Sequence, residues 1–168
     1  MEVLPDWPDG TVATLVTQGE APHAIPVSLV LRAGPREILL GLAPGRESLA
    51  RLRVDPRAAL TILAAGDRAF TAHGHATAFE ETGTVVAVRI AVERIADHNR
   101  PSFEIRDGVR WDWIDDRDRE RDAEARAALR ALLARGSAPE VRSSPACAPG
   151  SRQWPLSSRC CPWRTRGP

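Results

Sequence analysis

Most of the first hundred residues alternate between apolar and polar side chains with the two-residue period of a β-strand. The alternation is clearest in Thr84–Ile95, where Val86, Val88, Ile90 and Val92 alternate with Ala87, Arg89, Ala91 and Glu93. Residues two apart line one face of a strand, whereas residues three or four apart line one face of a helix. A chain dominated by such segments is predicted to be mainly β.

Five further segments have the composition of strands, and short turns rich in Gly, Pro and Asp separate most of them. They are Thr11–Thr17, Pro22–Arg32, Arg36–Ala43, Arg57–Ala65 and Ala69–Glu80. Pro26 predicts an edge strand or a bulge for its segment, because proline cannot donate to a strand ladder. Arg57–Ala65 is apolar on both faces, which predicts a strand that is covered on both sides.

An Asp-Gly dipeptide at 107–108 is typical of a two-residue β-hairpin turn. It lies between Phe103–Arg106 and Val109–Ile114, which are therefore predicted to be paired strands. Trp111 and Trp113 would then share one strand face, and packing against neighbours is favoured over stacking on a ligand.

Two segments have helical patterns. Arg46–Val54 is predicted to be a short helix that stops before an Asp-Pro pair, since a residue before proline avoids the helical conformation. A second helix is predicted from Asp115 or Asp116 to about Ala134, and its apolar stripe consists of Ala125, Leu129, Leu132 and Leu133. With six strands, these helices predict a small six-stranded β-barrel.

The composition of the chain changes near Arg135. Residues 1–135 have 18 Arg against 21 Asp and Glu, whereas residues 136–168 have five Arg and one Glu. Most residues after 135 are Pro, Ser, Gly or Arg, without periodicity. We therefore expect one domain over 1–135 and a disordered tail over 136–168. The tail contains all the cysteines, namely Cys147, Cys160 and Cys161.

The same composition excludes several classes of protein. The longest charge-free run in residues 1–135 has 11 residues, whereas a membrane-spanning helix needs about 20 apolar ones. Acidic residues at the N-terminus are atypical of a signal peptide, and the domain has no cysteine for a disulfide scaffold, so we expect a cytoplasmic protein. Without a basic excess in the domain we expect no nucleic-acid partner, and without a long apolar run we expect no membrane partner.

The stretch Leu39–Arg57 has the pattern of a strand, a glycine turn, a helix and an Asp-Pro stop. Backbone N–H groups at a helix start have no partners inside the helix, and they form a natural anion site. Gly45 allows a phosphate to approach, Arg46 can pair with it, and Ser48 can donate a hydrogen bond. The alternative is a surface helix with solvated arginines and Ser48 as an ordinary cap.

The order of the segments over Thr11–Ile95 resembles a known family. The features that best support this resemblance are the run Leu-Arg-Val-Asp-Pro-Arg at 52–57 and a later strand pair with Gly74 at its centre. These features resemble the pyridoxamine 5′-phosphate oxidase-like proteins, the flavin-binding split-barrel superfamily. The resemblance implies a Greek-key split barrel and a homodimer with cofactor sites at the subunit interface.

The resemblance also implies a cofactor site. The family's phosphate-binding segment matches Arg46 and Ser48, with Arg51 and Arg53 as further candidates. The strand whose main chain faces the flavin ring matches Ile25, Pro26 and Val27. The implied cofactor is FMN, with the deazaflavin coenzyme F-420 as the alternative and haem as a less favoured one.

The function implied by the resemblance is an FMN- or deazaflavin-dependent oxidoreductase that moves a hydride between the flavin ring and a small-molecule substrate. The alternative is a non-catalytic module that binds flavin or haem without turnover. No pattern of nucleophile and base is present, and no catalytic residue is predicted, because in flavoproteins the cofactor supplies the chemistry.

His73 and His75 lie two residues apart on a predicted strand, so they point to the same face. A metal pair or a haem ligand is one interpretation. Two polar side chains on a partly exposed or interfacial face are the favoured one, because no third ligand has suitable spacing. We therefore predict no metal site.

Overall fold

Seven antiparallel strands and two helices make up the computed structural model, which describes residues 1–136. The strands are β1 (Ala13–Thr17), β2 (His23–Val27), β3 (Val30–Gly34), β4 (Glu37–Leu42), β5 (Arg57–Ala64), β6 (Arg68–Glu81) and β7 (Val86–Asp97). Helix α1 (Glu47–Val54) connects β4 to β5, and helix α2 (Asp116–Gly136) follows the sheet. The predicted mainly β fold with an internal and a C-terminal helix is confirmed. The predicted tail lies outside the described residues.

The seven strands form one sheet in the order β2-β1-β5-β6-β7-β4-β3. The two edge strands are consecutive in the chain, and only Ser28 and Leu29 separate them. An extended chain covers at most about 11 Å over such a connection. The two edges therefore meet there, and the sheet curls into a barrel that stays split because β2 and β3 are not paired.

The prediction of one strand over Pro22–Arg32 is wrong, and this is why the sheet has seven strands and not six. β2 pairs with β1, whereas β3 pairs with β4 at the other edge. The chain changes its partner at Ser28 and Leu29. The prediction that Pro26 marks an edge is confirmed, since β2 is an edge strand and Pro26 lies opposite Thr14.

The inside of the barrel is an apolar core to which all seven strands contribute. Its most buried members include Leu15, Ile38, Leu60, Phe70 and Val88. Leu49 and Leu52 are the two buried leucines of α1, and both belong to this same core. Burial of a leucine side chain contributes about 1.5–3 kcal/mol, so these two residues hold α1 and its N-terminal end against the barrel.

Helix α2 packs on the outside of the barrel. Ala125, Leu129 and Leu132 of its predicted stripe are buried in a second core, which they share with Leu31 of β3 and Leu39 of β4. The predicted apolar stripe is therefore confirmed. No helix among residues 1–136 is long and apolar enough to cross a lipid bilayer.

The predicted hairpin around residues 107–108 is wrong, because residues 98–115 contain no strand. The stretch before residues 107–108 is held by the β5–β6 connection, where the N–H of Ile105 donates to the carboxylate of Asp67 over 2.8 Å. The carboxylate of Asp107 accepts a bond from the N–H of Gly108, and residues 107–108 form no turn. Trp111 and Trp113 do pack edge to face, with ring centres 5.1 Å apart, but they do not lie on a strand.

Strand β5 buries one of its apolar faces and not both. Leu60 and Ile62 point into the core, whereas Ala59 and Thr61 are half-buried and Leu63 is 53% exposed on the other face. The prediction that both faces are covered is therefore not met within a single chain.

At Gly74 the backbone of β6 lies against the backbone of β7 with no room for a side chain. A Cβ atom on Gly74 would overlap the carbonyl oxygen of Ala91 and lie 2.9 Å from its carbonyl carbon. The pairing register of β6 and β7 shifts between His73 and Gly74, as it does at a β-bulge. Because the obstacle is backbone, the position excludes every side chain, which gives a physical reason for the glycine noted in the sequence.

Candidate functional site

A cavity of about 310 Å³ opens where the two edges of the sheet meet. Its walls come from the β2–β3 connection, the end of β4, the start of α1, the β6–β7 turn and the first turns of α2. Most lining side chains are apolar, and four are charged. The lining residues are Ile25, Pro26, Val27, Ser28, Leu29, Gly41, Leu42, Ala43, Arg46, Thr84, Val85, Trp113, Asp118, Arg121, Asp122 and Ala125.

The structure brings four of the seven predicted cofactor-binding residues to this cavity. Ile25, Pro26 and Val27 form one wall, and Arg46 lies at the edge where α1 begins. Arg46 is the N-cap residue of α1, is exposed, and its side chain has no hydrogen bond or ion pair among residues 1–136. It is therefore a free cation beside the unpaired N–H groups of a helix start.

The other three predicted residues do not line the cavity. Ser48 is 1% exposed, and its hydroxyl has no hydrogen-bond partner in the described part of the chain. Arg51 is held by Glu47 and by the carbonyl oxygen of Ala21, each over 2.8 Å. Arg53 lies over the ring of Phe79, 5.8 Å from its centre.

The Asp-Pro-Arg run that ends α1 has a structural role. The guanidinium of Arg57 donates three hydrogen bonds to the carboxylate of Asp55, over 2.9, 3.1 and 2.5 Å, and the backbone N–H of Arg57 donates a fourth over 3.1 Å. The side-chain bonds first, and then the backbone bond, lower the pKa of Asp55 to about 2. These bonds between Asp55 and Arg57 fix the passage from α1 into β5.

Sequence reasoning missed the wall that α2 contributes. Asp122 forms an ion pair with Arg126 over 2.8 Å, and Arg126 also donates to the carbonyl oxygen of Ser28 over 3.2 Å. Both side chains of this pair are largely buried. The i,i+4 spacing of Asp122 and Arg126 predicts an ion pair on one helix face. The contact of Arg126 with the β2–β3 connection could not be predicted from this spacing, because it depends on tertiary packing.

The cavity combines a mostly apolar lining with one end, at Arg46, that can bind an anion. Arg121 lies 3.9 Å from Asp118, and Asp122 is paired with Arg126, so Arg46 is the lining cation without a partner among the described residues. Both lining carboxylates are ion-paired. No group of three or more His, Cys, Asp or Glu in residues 1–136 could hold a metal ion.

His73 and His75 lie away from this cavity, on β6. His75 is hydrogen-bonded through Nδ1 to the carboxylate of Glu93 over 3.0 Å. Burial lowers the pKa of His73, and the positive charge of Arg94 on the neighbouring strand and the ring of His98 lower it further. In the folded chain His73 is therefore a neutral residue at pH values where an exposed histidine begins to gain a proton.

We predict that His73 makes the chain less stable as the pH falls below about 6.5, its ordinary pKa. The unfolded chain takes up this proton before the folded chain does, so folding must release it, and stability is lost with falling pH. His73→Gln should reduce that loss. Urea unfolding at about pH 7.5 and 5.5 measures it, and an equal loss in the parent and the variant would contradict the prediction.

Comparison with known proteins identifies likenesses at low identity. Neither a protein-family model nor a curated protein matches the chain. Among solved structures, a Listeria innocua protein described as a pyridoxamine 5′-phosphate oxidase is 18% identical, with a TM-score of 0.45, over 54% of this chain and 90% of that one. The NADH:FAD oxidoreductase of Streptomyces globisporus is 13% identical, with a TM-score of 0.47, over 63% and 82%. The styrene monooxygenase flavin reductase of Pseudomonas putida is 12% identical, with a TM-score of 0.47, over 55% and 82%.

The chain is similar to solved structures described as a pyridoxamine 5′-phosphate oxidase, an NADH:FAD oxidoreductase and a flavin reductase. The resemblance predicted from the sequence names the same family as the first of these. With TM-scores below 0.5, the likenesses say nothing about individual residues. The case for a site therefore rests on the geometry of this chain.

Proposed function

We propose that the chain binds FMN in this cavity and acts as a flavin-dependent oxidoreductase on a small-molecule substrate. The observation that carries the proposal is Arg46, an unpaired cation at the start of a helix and at the rim of a largely apolar cavity. A guanidinium and free N–H groups suit a phosphate. FMN joins such a phosphate to a flat, largely apolar ring, which matches the division between the charged rim and the apolar wall.

The dimensions and the lining of the cavity fit this group. Its volume of about 310 Å³ lies at the lower end of the range of small-molecule sites. In the proposed arrangement Arg46 binds the phosphate, and the segment of Ile25, Pro26 and Val27 lies along the ring. A bound flavin accepts and donates a hydride, while the chain binds it, orients it and excludes water.

Haem fits the cavity less well than a flavin. Haem iron needs an axial ligand such as His, Cys or Met, and none of these is among the described lining residues. Coenzyme F-420 also has a phosphate and a flat ring, so the same donors would accept it. A parallel titration with both cofactors decides between them.

A second candidate is a module that binds flavin without turnover. This module would use the same site, since Arg46 and the apolar wall can hold a flavin with or without hydride transfer.

Binding and turnover of FMN test the proposal together. Fluorescence titration of the purified chain should show FMN bound more tightly than riboflavin, which has the same ring without the phosphate. The FMN-loaded protein should then oxidise NADH or NADPH faster than free FMN does. Binding without this oxidation would favour the module, and no binding of FMN or coenzyme F-420 would overturn the proposal.

We also propose that the chain is a homodimer, as the family resemblance implies. On the outer face of β5, Ala59 and Thr61 are half-buried and Leu63 is 53% exposed. An uncovered apolar face of this kind suits a second copy of the chain. Light scattering at micromolar concentration should give about twice the chain mass of 18.3 kDa, and a mass near that of one chain would contradict the prediction.

A further inference from the structure

Helix α2 turns one face to the barrel, and this face changes from apolar to charged along the helix. In its second half the face includes Ala125 and Leu129, which are buried against the barrel. In its first half Asp118, Arg121 and Asp122 line the cavity together with Ala125, which follows them by seven, four and three residues. Residues at these spacings share one side of a helix. The three charged residues therefore lie on the side of α2 that faces the cavity.

Asp122 has a structural role on this face. Its carboxylate pairs with Arg126 over 2.8 Å, and both side chains are largely buried. Arg126 also donates to the carbonyl oxygen of Ser28 over 3.2 Å, so the pair joins α2 to the β2–β3 connection. Because the charge of Asp122 is balanced in this way, the charges that a ligand can meet on this wall belong to Asp118 and Arg121.

The pair formed by Asp118 and Arg121 is held loosely. The guanidinium and the carboxylate are 3.9 Å apart, and the two side chains are 62% and 52% exposed. That distance is longer than a hydrogen bond, and an exposed ion pair contributes little to stability. A guanidinium also has several N–H donors. Arg121 can therefore reach a molecule in the cavity and bind it without losing a strong contact within the protein.

We propose that Arg121 binds a carboxylate group of the substrate, so that the substrate class of this site is small organic acids. The inference rests on the proposed function and adds to it the part of the site that recognises the substrate. With the phosphate of FMN on Arg46, Arg121 is the lining cation that is left for a second anion. A guanidinium can donate two parallel hydrogen bonds to a carboxylate. A single negative charge suits this wall better than a second phosphate, because Asp118 repels the additional charge.

Benzoate and benzamide are suitable probes, because they have the same ring and only benzoate has a negative charge. Loading the protein with FMN first keeps Arg46 occupied. We expect benzoate to bind the loaded parent about 3- to 10-fold more tightly than benzamide, which is the scale of a partly exposed contact between charges. Arg121→Gln should remove this preference and leave the affinities for benzamide and FMN unchanged. Ligand-observed NMR measures the dissociation constants of both probes.

Two further variants separate recognition by Arg121 from a general effect of charge. Arg130→Gln is the matched control, since Arg130 lies on the same helix, pairs with Asp9 and does not line the cavity. It should leave the affinity for benzoate unchanged. Asp118→Asn removes the carboxylate that competes for Arg121, so benzoate should bind about 2- to 5-fold more tightly. A pair that only stabilises the helix would not give opposite effects at its two members.

Equal binding of benzoate and benzamide to the loaded parent, or an unchanged preference in Arg121→Gln, overturns this inference alone and leaves the proposed function standing. A loss of FMN affinity in Arg121→Gln as large as the loss of benzoate affinity would assign Arg121 to the cofactor and would also overturn the inference. If neither FMN nor coenzyme F-420 binds the parent chain, the proposed function and the inference are both overturned.

Discussion

Replacing Arg46 with Ala is expected to weaken FMN binding about 10- to 150-fold, while riboflavin binding stays nearly unchanged. A charge-assisted hydrogen bond contributes about 1.5–3 kcal/mol, and each 1.4 kcal/mol corresponds to about a factor of ten in affinity. Arg46 has no partner among the described residues, so its removal breaks no contact within the protein and leaves no buried charge. Fluorescence titration of both flavins with parent and variant measures the effect.

Arg53→Ala is the matched control for that measurement. It removes the same charge from the same helix, but Arg53 lies beside Phe79 and does not line the cavity. We expect less than about a twofold change in FMN affinity, which is the scale of a screened surface charge. Equal losses in the two variants would show a general charge effect. A loss in Arg53→Ala alone would place the phosphate elsewhere on α1.

Replacing Gly74 with Ala is expected to lower the free energy of unfolding by about 3 kcal/mol, at the upper end for overpacking of a tightly fitted site. The new Cβ would overlap the carbonyl oxygen of Ala91 on β7. Backbone atoms in the middle of a sheet cannot move aside as the end of a flexible side chain does. The two longest strands would have to separate at the bulge, and urea unfolding at neutral pH measures the loss.

Gly34→Ala provides the comparison for Gly74→Ala. Gly34 ends β3, and a Cβ there would meet the side chain of Glu37 at 3.6 Å, which is an ordinary contact. We expect a change within about 0.5 kcal/mol, as for most surface substitutions. A loss as large as that of Gly74→Ala would mean that any added side chain on the sheet is costly. No loss at Gly74 would mean that β6 and β7 are not as close as described.

The strands could be predicted because alternation is a local property of the sequence, but the change of partner between β2 and β3 could not. Val27, Leu29 and Leu31 continue the two-residue period across the break. The pattern therefore gives no sign that the chain leaves one edge of the sheet and joins the other. That step is decided by closure of the barrel, which is a property of the whole sheet.

The wrong prediction of a hairpin at residues 107–108 arose from a local signal that was present but misleading. The Asp-Gly pair at 107–108 is typical of a hairpin turn, but residues 107–108 form no turn, and the carboxylate of Asp107 only accepts a bond from the N–H of Gly108. A hairpin also needs two flanking segments that bury a common face, and here the preceding stretch is bound to Asp67 in the β5–β6 connection. A strong local signal was therefore overridden by a contact between residues 38 apart in sequence.

The candidate site could be predicted in part. Arg46 and the segment of Ile25, Pro26 and Val27 were selected from the sequence, and the structure places them around one cavity. Trp113 and the charged residues of α2 were not selected, because their position depends on how α2 docks on the outer face of the barrel. Such docking depends on apolar packing between distant segments, and the sequence of α2 alone does not specify its partner.

A crystal structure of the chain with FMN is the most direct test of the central claim. We expect the phosphate within about 4 Å of the Arg46 guanidinium, the distance of an ion pair. We expect the ring between the segment Ile25, Pro26 and Val27 and the first turns of α2. A flavin bound at the outer face of β5, or with its phosphate away from α1, would contradict the account.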